Sequence, residues 1–185
     1  GGNLPRVMST PQGAEAARQF LPVSSLESER REKLWDWLAD NSARGIPMGG
    51  DLACGAGEAP RFPVAAMNDP DGSNLDRLQI VKGWLLPDGT TQEHVFDIAL
   101  SGDRTVCAIP VGGTVIGATG TYTGDNGAAA LRVVGTDLGF DPAERAFYYV
   151  RAHEIPTPRY ALHDAIALGI DPAETDHPAT IQERV

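Results

Sequence analysis

The stretch from Leu78 to Leu100 constrains this chain more than any other. Leu78, Ile80, Lys82 and Trp84 fall on one face of a period-two run, with Val81 and Leu85 on the other. Pro87-Asp88-Gly89-Thr90 supplies turn chemistry, and Phe96, Ile98 and Leu100 alternate on the way back. Alternation of that period places successive side chains on opposite faces, as a strand does. Two such runs joined by Asp-Gly predict a β-hairpin. Phe62, Val64 and Ala66 alternate as well, although Pro63 demotes that run to a sheet edge. Further strands are expected over 114–122, 128–136 and 145–153, between turns rich in Gly and Asp. Five or six strands at this spacing predict an antiparallel, sandwich-like β domain.

Helical patterns flank this region. Ala14 to Phe20 reads as a short helix stopped by Pro22. Ser28 offers an N-cap for a second helix over 29–41, with Glu29 in the first turn, where the helix dipole favours an acid. Leu34 and Leu38, beside Trp35 and Trp37, give it a wide apolar face that must bury against something. Thr157 is expected to cap a late helix with Pro158 at its first position, Leu162 and Ile166 as its stripe, and Gly169 with Pro172 at its end. The tail over 171–185 is polar and punctuated by Pro. The fold class is therefore mainly β with flanking helices, an α+β chain. Composition agrees: Gly and Pro fill 35 of 185 positions, about 19% where roughly 12% is average. At about 150 residues per domain the length suits one domain, or one plus a fragment.

Charge narrows the partners. There are 15 Lys and Arg against 25 Asp and Glu, for a net of −10, and only Lys33 and Lys82 are lysines. No run supplies the basic face that a phosphate backbone needs, so nucleic acid is not an expected partner. No stretch approaches 18 apolar residues, so no membrane-spanning segment is expected. The opening Gly1-Gly2-Asn3, without Met, reads as a processed end with no signal peptide. Cys54 and Cys107 have no CxxC partner. Either both are small buried hydrophobes or they pair in an oxidising compartment.

Catalytic motifs are incomplete. Asp69-Pro70-Asp71-Gly72-Ser73-Asn74-Leu75-Asp76 has the look of a calcium loop, but an EF-hand needs Gly sixth and Glu twelfth, where Asn74 and Ile80 stand. A turn before a strand is the expectation. The glycines at 112, 113, 117 and 120 fit neither GxGxxG nor a phosphate loop ending in Lys-Ser/Thr. His153-Glu154 and His163-Asp164 set imidazole beside carboxylate, yet a zinc site needs three or four converging ligands. His94, His153, His163 and His177 do not stand at ligand spacing. No catalytic residues and no metal ligands are assigned.

Three longer blocks carry a resemblance. Asp69 to Trp84 (DPDGSNLDRLQIVKGW), Phe147-Tyr148-Tyr149-Val150-Arg151 and Glu154-Ile155-Pro156-Thr157-Pro158-Arg159 together resemble the C-terminal part of the bacterial domain of unknown function 3604 family. Ile46 to Leu52 and Thr180 to Arg184 fit the same pattern, and Gly1 to Leu4, Thr10 to Gln19 and Leu34 to Leu38 are similar to an earlier, central region. The resemblance implies that full-length relatives are metal-dependent hydrolases of the polymerase-and-histidinol-phosphatase type, with His and Asp ligands on a distorted barrel. Here Pro5 stands at the position of a family histidine, and the chain passes from Arg44 straight to Gly45-Ile46-Pro47 where relatives carry barrel segments. On that basis 1–44 is a helical remnant of the catalytic region and 45–185 a β-rich C-terminal domain. A divalent metal is expected only in full-length relatives, and no cofactor in this chain. The resemblance also favours a periplasmic or extracellular location, and with it a Cys54–Cys107 disulfide.

Two functional expectations follow. One is a non-catalytic C-terminal module of a metal-dependent phosphoesterase-like hydrolase. The other is a stand-alone β-sandwich that binds a ligand or a protein. In both, Lys82 with Trp84 and Glu154 with Arg159 are the candidate ligand-binding residues, since Trp offers a flat stacking face and Arg a fork for carboxylate or phosphate. The plainer alternative makes Trp84 core and Glu154–Arg159 a structural salt bridge. The Leu34/Trp35/Leu38 face is expected to cover the β domain or a second copy of the chain.

Overall fold

The computed structural model describes residues 25–55, 58–102, 104 and 111–184. The expected helix at 14–20, Cys107, and the side chains of Leu34 and Trp35 lie outside the described residues. Contacts divide the chain into two compact units, Gly1–Ala65 with Thr136–Ala143, and Ala66–Gly135 with Glu144–Val185. Among the described residues no helix is long and apolar enough to cross a membrane.

The first unit contains helix α1 (Ser25–Arg44) and most of strand β1 (Arg61–Met67). The helix is longer than the sequence predicts, and Ser28 lies inside it instead of capping it. No breaker separates Ser25 from Ser28, so good helix formers carry the turn upstream. The helix runs on to Arg44, just before Gly45. Near that end Asn41 Nδ2 donates to the Trp37 carbonyl at 2.7 Å.

The second unit is built on a three-stranded antiparallel sheet in the order β3-β2-β7, from β2 (Leu75–Leu85), β3 (Thr91–Leu100) and β7 (Ala146–Glu154). The predicted hairpin is present: Leu85 pairs with Thr91 and Val81 with Val95. Gly89, at φ 83°, donates to Leu86 O at 2.9 Å in the turn. The second edge of β2 takes β7, Val81 facing Tyr149 and Gly83 facing Phe147. Leu75, Leu78, Ile80 and Val81 join Ile155, Ala161, Leu162 and Ala165 in the core. β6 (Ala130–Thr136) comes close through Gly135, where a Cβ would stand 2.8 Å from Ile80 Cδ1 and 3.1 Å from Ile98 Cγ2.

Two expectations need correction. The single strand expected over 114–122 is a small hairpin of β4 (Val115–Ile116) and β5 (Thr121–Tyr122). Gly120 at φ 66° turns the chain between them. Thr157 and Pro158 do not start the late helix. They form β8, paired with β9 (Thr180–Ile181), and Arg159 N–H donates to Ala179 O at 2.9 Å. This pairing, together with the extended bias of a residue before Pro, delays helix α2 to Tyr160–Leu168 with Arg159 as an N-cap without a side-chain bond. Gly169, at φ 68°, closes α2 as the sequence predicts. The polar tail adds a 3₁₀ turn, Pro172–Glu174, capped by Asp171. The result is a sheet-dominated α+β fold with antiparallel pairing.

Asp69–Asp76 is a turn, as expected: Gly72 N–H donates to Asp69 O at 2.9 Å, and Asp71 N–H to Asp69 Oδ1 at 2.9 Å. Asn74 ties it across the unit, its Nδ2 donating to the Gly124 and Asn126 carbonyls at 2.8 Å each. Beside it Ala128 exchanges two backbone bonds with Leu75, of 2.8 and 3.0 Å. Gly127 sits there at φ 86°, where a Cβ would fall 2.8 Å from Leu75 O and 2.6 Å from Ile155 Cδ1. Gly127→Ala should therefore lower unfolding stability by about 2–3 kcal/mol, since left-handed strain and a backbone clash combine. A denaturant titration checks this, and an unchanged midpoint would refute the packing described.

Candidate functional site

Cross-strand pairing brings one set of polar side chains together on a single face of the sheet. Arg77 of β2 stands opposite His153 of β7, and an isolated bridge sets Arg184 opposite His153 on its far side. In the next row Gln79 lies between Asp97 and Arg151, then Val81 between Val95 and Tyr149, then Gly83 between Glu93 and Phe147. Residues directly opposite in antiparallel pairs share a face, so the surface grades from cationic to aromatic. At the aromatic end Phe147 stacks on Tyr149, 6.3 Å between centroids at 10°, and the Arg151 guanidinium lies 5.1 Å from the Tyr149 ring and bonds its hydroxyl.

The polar rows form a directed chain of hydrogen bonds. Gln79 Nε2 donates to Asp97 Oδ1 at 2.7 Å, which leaves Gln79 Oε1 as acceptor for His153 Nε2, 2.8 Å away. His153 is thereby held with its proton on Nε2 and a bare lone pair on Nδ1. That Nδ1 is buried and meets no hydrogen-bond partner among the described residues. Beside it Arg104 Nη2 reaches Asp76 Oδ1 at 2.6 Å and Ser101 Oγ at 3.1 Å, and Nε donates to Ser101 O at 2.9 Å. Both charged side chains are only 8% exposed. Arg77 lies 3.6 Å from Asp76 Oδ2 and 3.9 Å from Asp97 Oδ1.

Burial pushes the His153 pKa below the ordinary histidine value, and Arg77, Arg184 and Arg151 push the same way against Asp76. Glu154, next along the strand, is pushed up by burial, against the lowering effect of Asp69 and Ser73 backbone amides. Its Oε2 accepts from Ser73 N–H at 3.4 Å, so it serves the Asp69–Asp76 turn.

Of the residues chosen from sequence, Lys82 and Trp84 do come together. Lys82 Nζ lies 5.1 Å from the Trp84 centroid, 6.0 Å from that of Tyr148 and 3.9 Å from Glu144 Oε2. Lys82 is 4% exposed and Trp84 half-buried. Glu154 and Arg159 are not brought together: no ion pair joins them among the described residues. Glu154 instead accepts from Ser73, while the Arg159 guanidinium lies 5.1 Å from the Tyr160 ring. Their separate backbone ties, Glu154 N–H to Glu183 O and Arg159 N–H to Ala179 O, direct them differently. Cys54 is half-buried in the first unit. Sequence reasoning missed Asp76, Arg77, Gln79, Asp97, Arg104, Arg151 and Arg184. The available signal was the alternation of Arg77 and Gln79 with Leu78 and Ile80, which marks a second, polar face of the same strand.

The four histidines go to separate places. His94 meets the Phe96 ring at a tilt of 58°, 4.3 Å between centroids, and the His177 centroid lies 5.9 Å from that of Tyr160. A Cβ on Gly120 would fall 2.8 Å from His163 Nδ1, so that ring closes over the β4–β5 turn. Only His153 enters the polar chain.

Residues 39–185 match the family described as "Protein of unknown function (DUF3604)". The chain belongs to that family. Neither the curated proteins nor the solved structures contain a match. Membership agrees with the resemblance read from the 69–84 and 147–159 blocks, which in this structure form β2, β7 and the segment after it.

Two outcomes test the polar face. Asp76→Ala leaves Arg104 buried without its carboxylate and should cost about 3–5 kcal/mol by denaturant unfolding; a loss no larger than that of an exposed ion pair would contradict the burial. The second concerns pH. A native His153 that protonates below the ordinary value binds fewer protons than the unfolded chain, so stability is full above about pH 6.5 and falls as pH drops through that range. Raised Glu154 acts oppositely: its contribution is present below the ordinary carboxylate value and is lost as pH rises through its raised pKa. In His153→Gln the slope that His153 contributes near pH 6 should be lost in melting curves.

Proposed function

We propose that this chain is a non-catalytic C-terminal module of a metal-dependent phosphoesterase-like hydrolase. What supports this reading is how the ionisable groups of the sheet are used. Asp76 is engaged by Arg104 and Arg77, Asp97 by Gln79 and Arg77, Lys82 lies beside Glu144, and Glu154 holds Ser73. Carboxylates tied up in ion pairs and hydrogen bonds are poor general bases or metal ligands, which need free lone pairs converging on one point. A divalent metal then belongs to full-length relatives, as the family resemblance implies, and an oxidising, extracytoplasmic compartment goes with it. The net charge of −10 gives no ground for a nucleic-acid partner.

A stand-alone binding module is the second reading, and one observation favours it. Lys82, Trp84 and Tyr148 gather a cation and two rings on one face of the sheet, a grouping that can also hold a ligand. In that role Lys82→Met would abolish binding without loss of fold.

The test is elemental analysis of the purified chain, with hydrolysis of p-nitrophenyl phosphate assayed in added manganese or zinc. The reading expects substoichiometric metal and no hydrolysis above background. Stoichiometric metal with turnover, both lost in His153→Ala, would overturn it.

A further inference from the structure

Three of the thirteen arginines in this acidic chain, Arg77, Arg151 and Arg184, lie around His153 at one corner of the sheet. Two carboxylates face them there. Asp76 is engaged by Arg104 at 2.6 Å, and Asp97 takes the Gln79 amide at 2.7 Å with Arg77 at 3.9 Å. That leaves Arg151 and Arg184 as the positive excess, one half-buried and one exposed, on either side of a buried imidazole. Arg151 gives one bond to the Tyr149 hydroxyl, and a guanidinium has five donors. Glu154 belongs to the Asp69–Asp76 turn, and Glu183 contributes its carbonyl to Glu154 N–H. A local cationic excess in a chain of net charge −10 runs against the general composition. The unpartnered, buried Nδ1 of His153 is a second and independent sign that a group is missing from this place.

We propose that the Arg77–His153–Arg184 row, with Arg151, is a binding site for a small oxyanion, a carboxylate or a phosphate group, and that the anion binds together with a proton taken up on His153 Nδ1. The guanidinium groups supply the charge-assisted donors that carboxylate and phosphate oxygens accept. The proton turns the one unsatisfied acceptor of the site into a donor, so imidazolium and anion stabilise each other. The Asp97–Gln79 relay fixes the other ring nitrogen as a donor to Gln79, which leaves Nδ1 as the place for the added proton. Without an anion the ring stays neutral among the arginines. With one, the charged ring is favoured, and affinity must fall as pH rises through the histidine range. This site does not depend on the chain being a non-catalytic module.

The experiment is calorimetric titration of the chain with sulfate, inorganic phosphate and acetate at about pH 6 and about pH 8, either side of the ordinary histidine value. Sulfate keeps its charge across that span and isolates the proton on the protein. The expected result is saturable binding, tighter at the lower pH, with proton uptake shown by dependence on buffer ionisation heat. Phosphate stronger than acetate assigns a phosphate ligand, and the reverse a carboxylate. Arg184→Gln, at an exposed position that should leave folding intact, is expected to weaken binding about tenfold or more. Nitrogen NMR of His153 should show Nδ1 passing from a bare to a protonated signal on saturation with sulfate. No saturable binding, or binding indifferent to Arg184→Gln with no change at His153, would overturn the proposal.

Discussion

The middle strand of a three-stranded sheet must satisfy its backbone along both edges, and β2 does so over eleven residues. It meets β3 on one side through a short hairpin turn and β7 on the other, more than sixty positions away in sequence. The second pairing is the costly one, because closing a long loop must precede any reward from contact. Burial of Leu75, Leu78, Ile80 and Val81 offsets it, at roughly 1.5–3 kcal/mol for each large apolar side chain. Once β7 is in place the tail follows, since Glu154 bonds Glu183 and His153 faces Arg184.

That same strand explains the polar face. A strand buried on both sides cannot carry Asp76, Gln79 and Lys82 unless each finds a partner, because an orphaned polar group in the interior costs about 1–3 kcal/mol. Asp76 has Arg104, Gln79 has Asp97 and His153, and Lys82 lies near Glu144 and two rings. Apart from Lys82 over Trp84, which lies within β2, these contacts join β2 to other segments, so the polar groups also select strand register. A slip of one residue would turn each of these side chains to the other face of the strand and break the contact it makes. The exception on the imidazole is His153 Nδ1, which meets no hydrogen-bond partner among the described residues.

Local signals were legible in the sequence and long-range ones were not. Alternation around Asp88-Gly89 reveals the β2–β3 hairpin because register there is set by the turn itself. Gly169 marks the end of α2 because a left-handed residue favours glycine. The local pattern starts α2 at Thr157, because the competing pairing with Thr180 and Ile181 lies more than twenty residues downstream. Likewise the resemblance pointed to the 69–84 and 147–159 blocks but not to how they meet. Gln79 and His153 lie 74 positions apart, and neither residue type alone signals a buried pair. Lys82 with Trp84 was visible because both sit on one strand face two residues apart.

Amide hydrogen exchange tests the central place of β2 most directly. Strands with buried side chains and paired edges open only with the whole cooperative unit, whereas exposed two-residue strands open locally. The amides of residues 78–84 should therefore exchange at the slowest rate in the chain and follow its global stability, while those of β4 and β5 exchange much faster. Amides of 78–84 that exchange as readily as those of the β4–β5 hairpin would contradict the account.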